Sequence, residues 1–152
     1  MSGDLRGEVA PQIVNTGVNF LIVPARDAAT VARAAPEMNA LEVWSDRLDL
    51  VGIYLFTTET RIAGRDAGAR MFAPRFGIPE ESATGMAAGP LACFLHDRMG
   101  LDRDAFVIEQ GHLMTPPSPS AITIRLFREN DRIQKLMAGG RARLMETRSV
   151  TI

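Results

Sequence analysis

Lysine is almost missing from this chain: Lys135 stands alone among seventeen basic residues in 152, the rest being arginine. Cysteine is down to one, Cys93, which excludes an internal disulfide framework and fits a reducing compartment. The two histidines, His96 and His112, do not form a metal-ligand spacing. No Cys/His or Asp/Glu cluster completes one, so no metal is expected. No P-loop or dinucleotide-type glycine pattern is present, and no nucleotide cofactor is implied. The longest apolar run, Met86 to Leu95, contains Gly89 and Pro90 and falls far short of the roughly 20 residues that span a bilayer. Met1-Ser2-Gly3-Asp4 brings an acid early and no apolar signal core follows. A net charge of −1 with scattered arginines argues against nucleic acid or an acidic membrane surface as partner. These absences together set the expectation of a soluble, cytoplasmic chain with neither a metal nor a nucleotide cofactor.

What is there is apolar content, 46%, enough for one domain with a real core. Residues 1–10 are polar and expected to be frayed, leaving 11–152 as the folded unit. Gln12 to Val23 reads as β, interrupted at Asn15-Thr16-Gly17, and Asp27 as the N-cap of a short helix ending before Pro36. Residues 37–47 fit either state. Val51 to Thr57 is a strand, 58–68 a turn or hairpin, and Ala69 to Ala73 a strand closed by Pro74. A helix from about Ala87 to Met99 is apolar nearly all round, which marks an enclosed helix, with Pro90 expected in its first turn. Strands follow at 105–110, 121–128, 131–138 and from Arg141 onward, with turns expected at Glu129-Asn130 and Gly139-Gly140. The class is α+β: mostly antiparallel strands wrapped about one apolar helix, with a shorter helix outside.

The stretch Glu80-Glu81-Ser82-Ala83-Thr84-Gly85-Met86-Ala87 places two carboxylates and two hydroxyls before the helix. A helix start has unpaired N–H groups and partial positive charge, and can hold an anion beside an acid that moves protons. The plainer reading is that Thr84 or Ser82 merely caps a core helix. Cys93, about two turns in, reads as core packing.

Arg70-Met71-Phe72-Ala73-Pro74, a glycine turn at Gly77, and then Glu80 through Leu91 resemble a signature of the PhzF-like isomerases of phenazine biosynthesis. That signature runs R-M-F-A-P, then E-D-P-A-T-G-S-A-A-G-P-L. Gln110-Gly111, Ser120-Ala121-Ile122, Gly139-Gly140-Arg141-Ala142 and Asn15-Thr16-Gly17 match further family positions in order. The resemblance implies a diaminopimelate-epimerase-like fold, in which two lobes each curl a sheet around a helix and share a cleft, and this chain resembles the C-terminal lobe alone. It implies cofactor-independent proton transfer on a small carboxylic acid. Glu81 would be the catalytic acid–base, and Thr84, Gly85, Met86 and Ala87 would bind the substrate, with Glu80 as the supporting neighbour of Glu81. The site would be completed by a complementary N-terminal lobe or by a second copy in a homodimer. Alternatively, the chain is a non-catalytic module that pairs through the same face.

Two positions depart from the family pattern. Glu81 stands where the family has aspartate, and Met86 where it has a substrate-contacting serine. Thr84 occupies the position of the thiol in related cysteine racemases, so thiol racemisation is excluded from this lobe. The first lobe's catalytic glutamate and Gly-His pair find no match. Gly111-His112 follows a strand-like run and opens no helix, and Glu42, in an echo of the glutamate's surroundings, reads as a solvated residue beside Trp44.

Overall fold

The computed structural model, which describes residues 9–151, threads one eight-stranded sheet around one helix. In chain order the elements are β1 (Gln12–Asn15), β2 (Asn19–Pro24), α1 (Ala28–Arg33), α2 (Met38–Arg47), β3 (Gly52–Thr57), β4 (Ala67–Ala73), β5 (Ile78–Glu81), α3 (Gly85–Asp97), β6 (Ala105–Gln110), β7 (Ser120–Glu129) and β8 (Arg132–Gly140). The strands lie in the order β1-β2-β3-β4-β6-β7-β8, with β5 added to β4. Five pairings are antiparallel; β2–β3 and β4–β6 are parallel.

The sheet curls because it has a cylinder to cover. Ala87 through Leu95 of α3 are all buried, and the helix packs on β1, β2 and β3 on one side and on β7 and β8 on the other. β7 shows the driving pattern: Ile122, Ile124 and Leu126 are buried while Ala121, Thr123, Arg125 and Phe127 are exposed. Period-two alternation of this kind puts one face of the strand on the core. β3 and β4 differ, being buried nearly throughout. Their outer faces are covered by α1 and α2, which form the crossover between the parallel strands β2 and β3. At Gly89 of α3, an added Cβ would lie 2.9 Å from a Leu136 methyl, so β8 approaches the helix closely only because that position has no side chain.

One charged residue lies among the apolar residues of β4. Arg70 forms a two-pronged ion pair with Glu80 (2.7 and 2.8 Å) and donates to the carbonyls of Val31, Ala32 and Ala34 at the end of α1 (3.1, 3.2 and 2.8 Å). It thus satisfies the open C-terminal carbonyls of a helix while pinning β5.

Several expected boundaries move. Residues 37–47 are mostly helix (α2), capped by the Glu37 carboxylate, which accepts from the Asn39 and Ala40 N–H groups, so two helices, not one, lie outside. α3 starts at Gly85, two residues early, and Pro90 is its sixth residue instead of lying in the first turn. Its missing N–H leaves the Met86 carbonyl without a helical donor. The β7–β8 turn is Asn130-Asp131, not Glu129-Asn130, because the two central residues need positive φ (50° and 60°), which Asn and Asp tolerate and Glu does not. Gly139 and Gly140 make no turn; they pair with Thr123 and Ile122 inside β8. The strand expected from Arg141 is absent, since residues 141–151 pair with nothing and leave Leu144, Met145 and Val150 exposed. Most of the frayed 1–10 segment lies outside the described residues, and Val9 already packs on the core.

Candidate active site

Two strands share one edge of β4, and the site lies where they meet. β6 runs parallel to the first half of β4, ending at Ala69↔Gln110. β5 runs antiparallel to the second half and ends at Met71↔Glu81. With the rest of the edge taken, the chain leaves at Ser82 and turns into α3. The Ser120 hydroxyl holds this exit, donating to the Ser82 carbonyl (2.9 Å) and lying 3.3 Å from that of Gln110.

The turn between strand and helix is fastened by the fully buried amide of Gln110. Its Nε2 donates to the Glu81 carbonyl (2.6 Å) and to Thr84 Oγ1 (3.0 Å); its Oε1 accepts from Tyr54 Oη (2.8 Å) and from the Thr84 N–H (3.0 Å). All hydrogen-bonding capacity of one amide is thereby used, as burial requires. Thr84 occupies the N-cap position without capping the helix by its side chain, because its hydroxyl faces Gln110.

Glu81 and Glu80 go to different places. Glu80 is spent on Arg70, away from the helix mouth, and is not positioned to support its neighbour. Glu81 is half-buried, accepts the Ser82 N–H at 3.2 Å, and lines a pocket of about 280 Å³. The same pocket is lined by Thr84, Gly85 and Met86, and its body is apolar: Phe20, Val51, Met71, Ala73, Phe76 and Ile78. Gly85 and Met86 are the first two helical residues, where N–H groups have no preceding helical carbonyl to bind. Ala87 is different. It is fully buried, its N–H bonds the Thr84 carbonyl at 3.2 Å, and it does not line the pocket. Phe76 and Met86, 56% and 58% exposed, flank the pocket as an apolar rim.

The other singled-out residues fall outside this pocket. Cys93 is buried in the core, and burial, with Asp97 adding to it, pushes its thiol up to about 11, far from a usable thiolate. His96 sits at the end of α3 against Asp97 (2.8 Å) and Arg128 (2.8 Å). Glu42 is exposed on α2. His112 lies in the loop after β6 with its side chain 7% exposed, its Nε2 3.5 Å from the buried Glu109. Glu109 in turn accepts from the N–H groups of Arg61 and Ile62 (2.7 and 2.9 Å) and from Arg65 (3.0 Å), and so ties down the 58–66 loop. Sequence reasoning passed over Arg70, Glu109 and Gln110 as individuals. The available signal was a charged or amide side chain inside an otherwise apolar strand, which must find buried partners.

The sheet curled about an enclosed helix defines a class, and a family model matches residues 1–148: the chain belongs to the PhzC-PhzF family of phenazine biosynthesis-like proteins. Among curated relatives it is 29% identical over 102 residues to the uncharacterized isomerase YddE of Escherichia coli K12, and 29% over 132 residues to an uncharacterized isomerase of Deinococcus radiodurans. It is 33% identical over 92 residues to the trans-2,3-dihydro-3-hydroxyanthranilate isomerase of Pseudomonas aeruginosa. These alignments take in 66%, 83% and 60% of this chain but only 34%, 41% and 30% of the relatives. The crystal structure of a Bacillus anthracis phenazine biosynthesis protein of the PhzF family superposes with a TM-score of 0.76 at 20% identity, covering 91% of this chain and 48% of that one. The chain spans less than half the length of each of these four proteins.

Proposed function

We propose that this chain supplies one wall of a cofactor-independent acid–base site that shifts a proton on a small carboxylic acid, with the second wall coming from a complementary lobe. The observation that carries the reading is the pocket lined by both Glu81 and the first residues of α3. In it the N–H groups of Gly85 and Met86, at the positive end of the helix, hold the substrate carboxylate, and Glu81 gives or takes the proton beside it. Ala87 acts from behind, its N–H keeping the first turn closed on Thr84. Thr84 contributes its carbonyl to that turn and its hydroxyl to Gln110. Met86 offers a methyl-bearing side chain where a hydroxyl donor would contact substrate, so the body of the acid lies on apolar surface between Met86 and Phe76.

The test mixes the chain with the N-terminal lobe of a two-lobed relative and follows the ultraviolet change of trans-2,3-dihydro-3-hydroxyanthranilate. Removal of a positioned acid or base costs on the order of 10²–10⁴ in rate, so Glu81→Gln should lose at least about a hundredfold in kcat. Turnover undiminished by that change would remove Glu81 from the chemistry.

The exposed Phe76 and Met86 also support a second reading, in which two copies close on each other through this face and bind ligand without turnover. Light scattering separates the cases: a monomer at micromolar concentration counts against the homodimer.

A further inference from the structure

The helix mouth has few bonds of its own: Ser82 N–H to the Glu81 carboxylate, and the Ala87 and Ala88 N–H groups to the Thr84 carbonyl. The side-chain hydrogen bonds that reach residues 81–84 from other strands come from Gln110 of β6 and Ser120 of β7, and most of them are made by the Gln110 amide. We propose that Gln110 is the positioning residue of this site: its amide sets the Glu81 backbone and the start of α3 relative to one another, and so fixes where the carboxyl of Glu81 stands against the N–H groups of Gly85 and Met86. The inference rests on the functional reading of that pocket, but the hold itself is a matter of geometry and is testable separately.

Only an amide in one orientation meets these partners. The Glu81 carbonyl at 2.6 Å requires a donor and the Thr84 N–H at 3.0 Å requires an acceptor, so a rotated amide would set like against like on both sides. Tyr54 completes the set from the far side, its hydroxyl donating to Oε1 at 2.8 Å. Burial pushes the Tyr54 phenol far above its ordinary value, so the hydroxyl keeps its proton and remains a donor over any working pH. β3, β5, β6 and α3 are thus joined through two fully buried side chains; the Tyr54–Gln110 bond is wholly buried, and the three from Gln110 to Glu81 and Thr84 are part-buried.

Gln110→Glu is the discriminating variant because it keeps shape and changes the donor. Ionised, the new carboxylate still accepts from Tyr54 and the Thr84 N–H but repels the Glu81 carbonyl; protonated, it can donate there again. Burial holds such a carboxyl above the ordinary range, which brings the change into an accessible pH window. In the full chain, the amide resonances of Thr84, Gly85 and Met86 should be displaced from wild type at pH 8 and should return toward it at pH 5. Wild type serves as the control over the same range. Binding of trans-2,3-dihydro-3-hydroxyanthranilate should weaken by about tenfold at pH 8, the loss expected of one buried hydrogen bond, and recover on acidification. A side chain that only contributed to stability would lower the melting temperature without a pH-dependent displacement confined to those three amides.

If Gln110→Glu does not fold, Tyr54→Phe removes one of the four bonds and should displace the same amides, by less. Resonances of either variant that match wild type at pH 8 overturn the positioning role. Wild-type chain that binds no such acid, while the variant's amides move as expected, overturns the functional reading and leaves Gln110's hold on the mouth standing.

Discussion

At the level of single residues, the buried charges Arg70 and Glu109 are both partnered, and Arg70 draws on the most partners. Its side chain and that of Glu80 are 10% and 15% exposed, so each depends on the other for compensation. Breaking a buried pair from one side costs more than removing both members. Arg70→Met should therefore destabilise the chain by about 3–5 kcal/mol in urea unfolding, and Arg70→Met with Glu80→Met by less than the single change. His112 is a different case: its ring titrates, and its buried Nδ1 has no hydrogen-bond partner. Its buried ring is held below the ordinary histidine value of 6.5, chiefly by burial, with Glu109 acting in the opposite direction and Arg61 and Arg65 reinforcing burial. The unfolded chain therefore takes up a proton before the folded one as pH falls. Stability contributed by neutral His112 is fully present above pH 6.5 and declines as pH falls below it toward the folded-state value. His112→Gln should flatten the dependence of the unfolding midpoint between about pH 7 and pH 5, measured by thermal denaturation.

Among elements, the strands and the central helix are legible from local pattern, and the exceptions have identifiable causes. β7 alternates cleanly and α3 is continuously apolar, so both declare themselves. The start of α3 does not, because it is set by Gln110, which lies 26 residues away from Thr84. Gly139-Gly140 looks like punctuation but is paired along its length, and no local feature says that the partner strand extends to Ile122. The turn between β7 and β8 is readable once positive φ is demanded of both central residues. Asp131, at φ 60°, is the less suited of the two. Asp131→Gly would give the Asn-Gly pair favoured in such turns, and should stabilise the hairpin by roughly 0.5–1 kcal/mol, read as a rise in the urea midpoint at unchanged slope. The site itself was legible only in part. The motif singled out Glu81, Thr84, Gly85, Met86 and Ala87, of which the first four line one pocket, but nothing local separates the surroundings of Glu80 and Glu81. Their division follows from Arg70, ten residues earlier on a different strand.

For the whole molecule, a sheet that wraps one helix from both sides leaves an opening, bounded here by Thr16–Val18 on one flank and Leu136 and Ala138 on the other. Gly85, Met86 and Gly89 form its floor, so the helix mouth faces out of the lobe instead of into it. A complementary lobe that binds there would recognise only the folded chain. At a hundred times its dissociation constant it would add about 2.7 kcal/mol of stability, seen as an unfolding temperature that rises with lobe concentration. An unfolding temperature independent of the lobe would argue that nothing covers this face. The shared edge of β4 also has a bearing on time. Tyr54 and Gln110 are 56 residues apart, and their bond exists only after β6 has come back to lie parallel with β4. Closing such long-range parallel contacts is the slow part of acquiring a fold, whereas a helix such as α3 forms from its neighbours. During refolding, helical signal should thus recover ahead of the capacity to bind an acid. The mouth is finished last, and a bound ligand is a report that the rest of the chain has already arrived.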